Sequence, residues 1–422
     1  MTNKKEWPKW PIANNETFQA IQLVLKSKRW TVTGPYDGKE SYERTFSKMF
    51  ASYLNIKYCT PVSSGTSGLL VALNGLDIGY GDEVLVPGLT WVACASATLT
   101  SGAKPIFVDI DPDNLAMCPK LAKKAITNKT KAIILVHPYC RVADIEEFVK
   151  LSKEFDLKLI EDCSQAHGAE WNNKKVGTFG DVGVFSMQQS KVLTSGEGGA
   201  VVTNSLELYE KFEQARCDGR VFTKNKVKGK LELMEKGEVL GSNYCMSEFH
   251  AAILCSSLSE LDKQNKIRQQ FVDKFTKEAA LTIPEIEFLP LNARVVKPTY
   301  YNLVIKFKDN FCHKIDIEKF VNALSEKINA QVSPIYQPIS FFKLYNPLIS
   351  AKSRLYLSHE EINPDFFQLN NSINARKKHF TIPNWVLLDE EDGYIYLIKC
   401  IRYLLDNMDE VNNYTKLNQE SF

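Results

Sequence analysis

"KYCTPVSSGTSGLLVALNGL", residues 57–76, is the stretch on which the reading of this chain turns. "KYCTPV" reads as a strand ending at Val62, small residues turn the chain, and a helix begins near Thr66. A helix start presents free N–H groups and the positive end of a dipole, which suits a phosphate, and small side chains let it come close. The same serines and glycines also serve as ordinary helix caps. No GK[ST] follows and no G-x-G-x-x-G is present, so neither a Walker loop nor a dinucleotide fingerprint is at hand.

Strand and helix go on alternating to Asn204. "DEVLVPG" (82–88), "AKPIFVDID" (103–111), "KAIILVHPY" (131–139), "LKLIEDC" (157–163), "DVGVFSM" (181–187) and "GAVVTN" (199–204) read as strands, and "DIEEFVKLSKEFD" (144–156) has helical period. Such alternation implies an α/β fold with a mainly parallel sheet covered on both faces. Ligands of such sheets sit beyond the carboxyl ends of the strands. Further on, "LELYEKFEQARCDG" (206–219) reads as a helix closed by Gly219, and residues 222–243 as an extended arm or hairpin. Residues 246–281 carry helical spacing and predict one long helix, and the character changes again near Pro284, where "YYNLVIKF" (300–307) is a strand of a smaller domain.

The strand ends carry the chemistry. Asp162 lies where "LIED" emerges, with Gln165 and His167 just beyond. A carboxylate there can hold a protonated ring nitrogen by a charge-assisted hydrogen bond, although Glu161 or Asp162 also reads as a cap or ion-pair partner, and His167 as a structural histidine. Trp91 follows another strand end and suits either stacking on a planar ring or core packing. Lys191 stands between "DVGVFSMQQS" and "TSGEGG", with Ser186 as a further phosphate donor. Phosphate cradle, ring acid, aromatic face and reactive amine together are what pyridoxal 5′-phosphate requires.

Composition narrows the field. The chain has 422 residues, enough for two domains, with 44% hydrophobic and 24% charged residues. A formal net charge of +2 gives no reason to expect nucleic acid or an anionic membrane as partner. Ten cysteines without CxxC or a Cys/His cluster argue against a zinc site and a disulfide framework, and fit a reducing compartment. With a polar, proline-broken start and no apolar run long enough to span a bilayer, the expectation is a soluble, cytoplasmic protein.

In "SSGTSGLLVAL", "EDCSQAHGA", "SKVLTSGEGGAVVTN" and "GSNYCMSEFHAA" the chain resembles the DegT/StrS sugar aminotransferases over nearly its whole length. In "WPKWP", "MQQSKVLTSGEGG" and "GSNYCMSEF" continuing into "SELDKQNKIR" it is most similar to the branch acting as L-glutamine:2-deoxy-scyllo-inosose aminotransferases. The resemblance implies the fold-type I, aspartate aminotransferase-like architecture, with a large cofactor domain at 1–255 and a small α+β domain at 256–422. It implies pyridoxal 5′-phosphate as cofactor, Lys191 as the lysine that captures its aldehyde, Asp162 on the pyridine nitrogen, Gln165 on the ring hydroxyl and Trp91 against the ring. Gly65, Thr66 and Ser186 would hold the phosphate, with Asn243 reaching over from a second subunit of a homodimer. Function is then expected as ping-pong transfer from L-glutamine or L-glutamate to a cyclic ketone of the scyllo-inosose type, with no metal. Cys245, where many family members have arginine, is shared with the cyclitol branch, whereas "VSPIYQPISFFKLYNP" (332–347) lacks the expected histidine-bearing P-x-H. Competing expectations are a nucleotide-linked keto-sugar as acceptor, a nicotinamide-dependent oxidoreductase, and a non-catalytic scaffold.

Overall fold

Thr130–Val136 shows why the apolar runs of the first half become interior strands. Ala132, Ile134 and Val136 pack on one side with Leu69 and Ala72, while Ile133 and Leu135 pack on the other with Phe148 and Leu151. Successive side chains of a strand point to opposite faces, so a run apolar at every position needs cover on both. The computed structural model, which describes residues 5–223, 225–349 and 366–414, provides that cover with helices.

Seven strands form the main sheet: β1 (Tyr58–Val62), β2 (Glu83–Pro87), β3 (Lys104–Val108), β4 (Thr130–Val136), β5 (Lys158–Asp162), β6 (Val182–Ser186) and β7 (Gly199–Thr203). Their spatial order is β1-β7-β6-β5-β4-β2-β3. β7 runs antiparallel to both of its neighbours, and every other pairing is parallel. The ends of β1, β2, β5 and β6 therefore meet along one edge, where the chemistry is expected.

Ser64 caps the helix Gly65–Gly75, accepting from Ser67 N–H at 3.1 Å while Ser67 Oγ accepts from Ser64 N–H at 2.9 Å. The turn before it is tied down from outside: Ser63 N–H donates to Tyr244 O and Tyr244 N–H to Arg216 O, each at 2.8 Å. Arg216 is buried between Glu43 at 3.0 Å and Glu213 at 2.7 Å, a triad whose breakage on one side would cost about 3–5 kcal/mol.

A second sheet of four short antiparallel strands, Ile286–Glu287, Asn302–Phe307, His379–Pro383 and Ser333–Pro334 in that order, packs in a separate core with Phe275, Phe320, Leu324 and Leu397. The expected hairpin after residue 219 is present, with Arg220–Phe222 paired to Leu233–Glu235. The single long helix predicted over 246–281 is not: it is two helices, Glu248–Leu258 and Leu261–Thr282. Ser256 Oγ and Ser259 Oγ bond back to the carbonyls of Ile253 and Ser256, competing with the helical ladder, and the two helices serve different cores. No helix among the described residues is long and apolar enough to cross a membrane.

Candidate active site

Where the ends of β1, β2, β5 and β6 converge lies a cavity of about 410 Å³. Gly65, Thr66, Trp91, Asp162, Gln165, Ser186 and Lys191 all line it. Seven residues picked from four separate segments thus fall on one surface. Asn243 does not line it; it is exposed, with its Oδ1 accepting from Cys245 N–H at 3.3 Å.

Lys191 sits on the connection from β6 to β7. Met187 N–H donates to Gly198 O at 2.8 Å, Ser195 N–H to Met187 O at 3.1 Å and Lys191 N–H to Gln188 O at 2.8 Å. Gly196 takes φ +87°, a conformation that a side chain would strain, and this lets the loop double back. From behind, Asn384 Nδ2 donates to Ser190 O at 2.7 Å and Trp10 Nε1 to Gln189 O at 2.8 Å. Asn384 in turn accepts twice from Arg268, at Oδ1 and at its carbonyl, 3.3 Å each. Arg268 is fully buried; its remaining partners are Asn265 Oδ1 at 3.2 Å and the face of Trp10 at 5.2 Å. With burial uncompensated by any acid, its pKa is lowered to about 9.

Asp162 ends β5 and is 6% exposed. Its Oδ1 accepts from Ser164 N–H at 3.0 Å and its Oδ2 from the Cys94 thiol at 3.3 Å. Burial first, and then the Asp162 charge, raises that thiol well above its ordinary value, so it stays a donor. Gln165 Oε1 accepts from Tyr139 N–H at 2.6 Å, which turns its amide nitrogen toward Tyr336 at 3.4 Å. Trp91, 45% exposed, forms one wall, 6.0 Å from Tyr336 and 5.6 Å from Phe342 between ring centroids.

At the start of the helix Gly65–Gly75, a Cβ on Gly65 would lie 2.6 Å from Ser186 Cβ, closer than atoms can approach. Only glycine lets the helix start pack against the end of β6. His167 is buried against Phe185, and burial, with the Lys191 charge, lowers its pKa to about 3, so it is neutral. His137, Glu161 and Cys163 stand near one another in a metal-like grouping. Glu161, however, already accepts N–H groups of Gly177, Phe179 and Gly180 at 2.7–2.9 Å and faces His137 Nε2 at 3.4 Å, while His137 Nδ1 accepts from Ala143 N–H at 3.1 Å. Glu161 and His137 thus already spend these atoms on hydrogen bonds within the protein.

Sequence reasoning missed Cys94, Tyr139, Tyr301, Tyr336 and the Arg268–Asn384 pair. Tyr301 and Tyr336 line the cavity from beside the second sheet, far along the chain from Lys191, and no local pattern marks them.

A lysine on the return loop after β6, an aspartate at the end of neighbouring β5 and a helix start packed against the end of β6 fit the fold-type I, aspartate aminotransferase-like architecture. The chain belongs to the DegT/DnrJ/EryC1/StrS aminotransferase family, whose model matches residues 11–381. It is 43% identical over 391 residues to an L-glutamine:2-deoxy-scyllo-inosose aminotransferase of Streptomyces kanamyceticus, covering 92% of this chain and 91% of that protein. It is 38% identical over 421 residues to an L-glutamine:scyllo-inosose aminotransferase of Streptomyces griseus, covering 97% of each. Among solved structures, an aminotransferase from Psychrobacter cryohalolentis shares the fold with a TM-score of 0.82 at 23% identity, covering 96% of this chain and 100% of that one.

Proposed function

We propose that this aminotransferase uses pyridoxal 5′-phosphate to move the amino group of L-glutamine, or of L-glutamate, to a cyclic ketone of the scyllo-inosose type in aminocyclitol biosynthesis. The observation that carries the reading is the shared cavity of Lys191 and Asp162 with the glycine-only contact at Gly65. The residues fit the cofactor. Gly65 and Thr66 offer first-turn N–H groups and Ser186 a hydroxyl for a phosphate, and Asp162 would pair with a protonated ring nitrogen. Gln165 would face the ring hydroxyl, and Trp91 supplies a flat wall of the cavity. When bound, the cofactor supplies an aldehyde that carries the amino group and a ring that takes up the electrons of a broken C–H bond.

The chain's own residues do the rest. Lys191 would hold the cofactor's aldehyde at rest and, once displaced by the donor amine, would serve as general base for the α-proton. The same amine would carry that proton at Nζ until it is given back. Run in reverse with the ketone, these steps make the reaction ping-pong. Asp162 acts by charge, and Cys94 and Ser164 keep its oxygens aimed. Asn243, exposed and outside its own chain's cavity, serves the phosphate of a second subunit, which makes the working unit a homodimer. We assign residues 1–255 to the large domain and 256–422 to the small one, and the cytoplasm as its compartment, in keeping with ten free cysteines.

An acceptor panel tests the substrate. With glutamine as donor, scyllo-inosose and 2-deoxy-scyllo-inosose should yield amines detectable by mass, and Lys191→Ala should yield none. Amination of a nucleotide-linked keto-sugar alone would overturn the cyclitol assignment.

A further inference from the structure

The stretch "WPKWP", residues 7–11, carries two indoles three residues apart, each followed by a proline. A proline disfavours helical backbone in the residue before it, so each tryptophan is offered on extended chain. The segment crosses open space: Glu6, Trp7, Pro8 and Trp10 line a hollow of about 1020 Å³ on one side and a second of about 790 Å³ on the other. Its two half-buried indoles hold it there. Trp7 Nε1 donates to Ile328 O at 2.6 Å, at the end of the helix Ile317–Ile328, and its ring packs edge-on with Tyr396, 6.0 Å between centroids. Trp10 Nε1 donates to Gln189 O at 2.8 Å, and its ring covers the Arg268 guanidinium at 5.2 Å.

Each of the three peptide carbonyls before Lys191 is held by a donor. Gln188 O accepts from Lys191 N–H at 2.8 Å, Gln189 O from Trp10, and Ser190 O from Asn384 Nδ2 at 2.7 Å. The first bond closes a turn within the loop. The other two come from outside it, and Arg268 braces both donors, by hydrogen bonds to Asn384 and by its face on Trp10. The Lys191 amine rides a flexible four-carbon stem, so any drift of the backbone beneath adds to its own. A misplacement of about 1 Å at a reacting group can cost ~10²-fold in rate.

We propose that Trp10 is a positioning residue for this site: its indole N–H, carried on the N-terminal segment, pins the peptide two residues before Lys191 and so sets where the Lys191 amine meets an aldehyde. Trp10 touches neither substrate nor cofactor and acts only through the loop. The proposal rests on the reading of Lys191 as the amine that captures the cofactor. Trp7 anchors the same segment at its other end, away from the loop, and has no such part.

Trp10→Phe keeps a ring on Arg268 and removes the N–H from Gln189 O. Trp7→Phe removes the N–H from Ile328 O and leaves the lysine loop untouched. Pyridoxal 5′-phosphate added to each full chain reports the meeting of amine and aldehyde as growth of the lysine–cofactor absorbance, without any substrate. Trp10→Phe should slow that growth about 3- to 10-fold, the worth of one hydrogen bond, and lower kcat with glutamine by a similar factor at unchanged KM. Trp7→Phe should capture the cofactor at the wild-type rate, whatever it loses in urea unfolding. Capture at the wild-type rate in Trp10→Phe, or equal slowing in both variants, overturns the proposal. A wild-type chain that never develops the absorbance overturns the reading of Lys191 instead.

Discussion

Asn384 and Ser190 join the two sheets directly behind Lys191. The amide nitrogen of Asn384, directly after the strand His379–Pro383, donates to the carbonyl of the residue before Lys191 at 2.7 Å. The position of the amine is thereby set by the second core as well as by the first, with Arg268 behind Asn384 as the buried support.

Asn384→Ala should cost about 3 kcal/mol in urea unfolding, because it orphans Ser190 O and one N–H donor of a buried guanidinium. Asn384→Asp separates stability from function. It still accepts from Arg268, and should stay folded, but its carboxylate cannot donate to Ser190 O, so turnover should fall while unfolding stays near wild type.

Gly65→Ala should gain up to about 1 kcal/mol of helix propensity, yet it places a Cβ 2.6 Å from Ser186 Cβ. The helix start must move off β6, with a net loss of about 1–3 kcal/mol. Absorbance titration with pyridoxal 5′-phosphate should show at least ~10-fold weaker binding. Binding of wild-type strength would remove the phosphate role from this turn.

Asn243→Ala and Lys191→Ala chains should each be inactive alone. Refolded together in equal amounts they should recover about a quarter of wild-type activity, since half of the dimers pair unlike chains and each of those holds one intact site. No recovery would count against a site shared between subunits.

His379 is buried with Nδ1 against Ala375 O at 2.8 Å, and burial lowers its pKa to about 4. The folded value lies below the unfolded one, near 6.5, so the stability it contributes is full above pH 6.5 and lost as pH falls toward 4. Between pH 7.5 and 5 the wild type should lose about 2 kcal/mol more than His379→Asn, which keeps a donor for Ala375 O but does not titrate. Equal losses in urea melts at the two pH values would sink this.

How much could be read in advance depended on range. The β4 run was legible because a strand buried on both faces is apolar throughout, and Asp162 because it closes such a run; Lys191 drew notice through the glycine-rich turn that follows it. Arg268 reads in sequence as one more charge on a helix, and only the folding of Trp10 and Asn384 onto it makes it a buried cation. Tyr301 and Tyr336 become site residues only when the two sheets dock. The break after Leu258 was hidden because helical spacing runs on across it while the core being served changes.

β7 returns between β1 and β6, so the loop bearing Lys191 is a hairpin bend anchored at both ends in interior strands. Such a bend cannot fray as a surface flap does; exposing it to deuterium exchange means unzipping the middle of the sheet. The backbone carrying Lys191 has therefore surrendered most of its freedom when the protein folds, and on the proposed role of this amine little of that entropy would remain to be lost in each turnover.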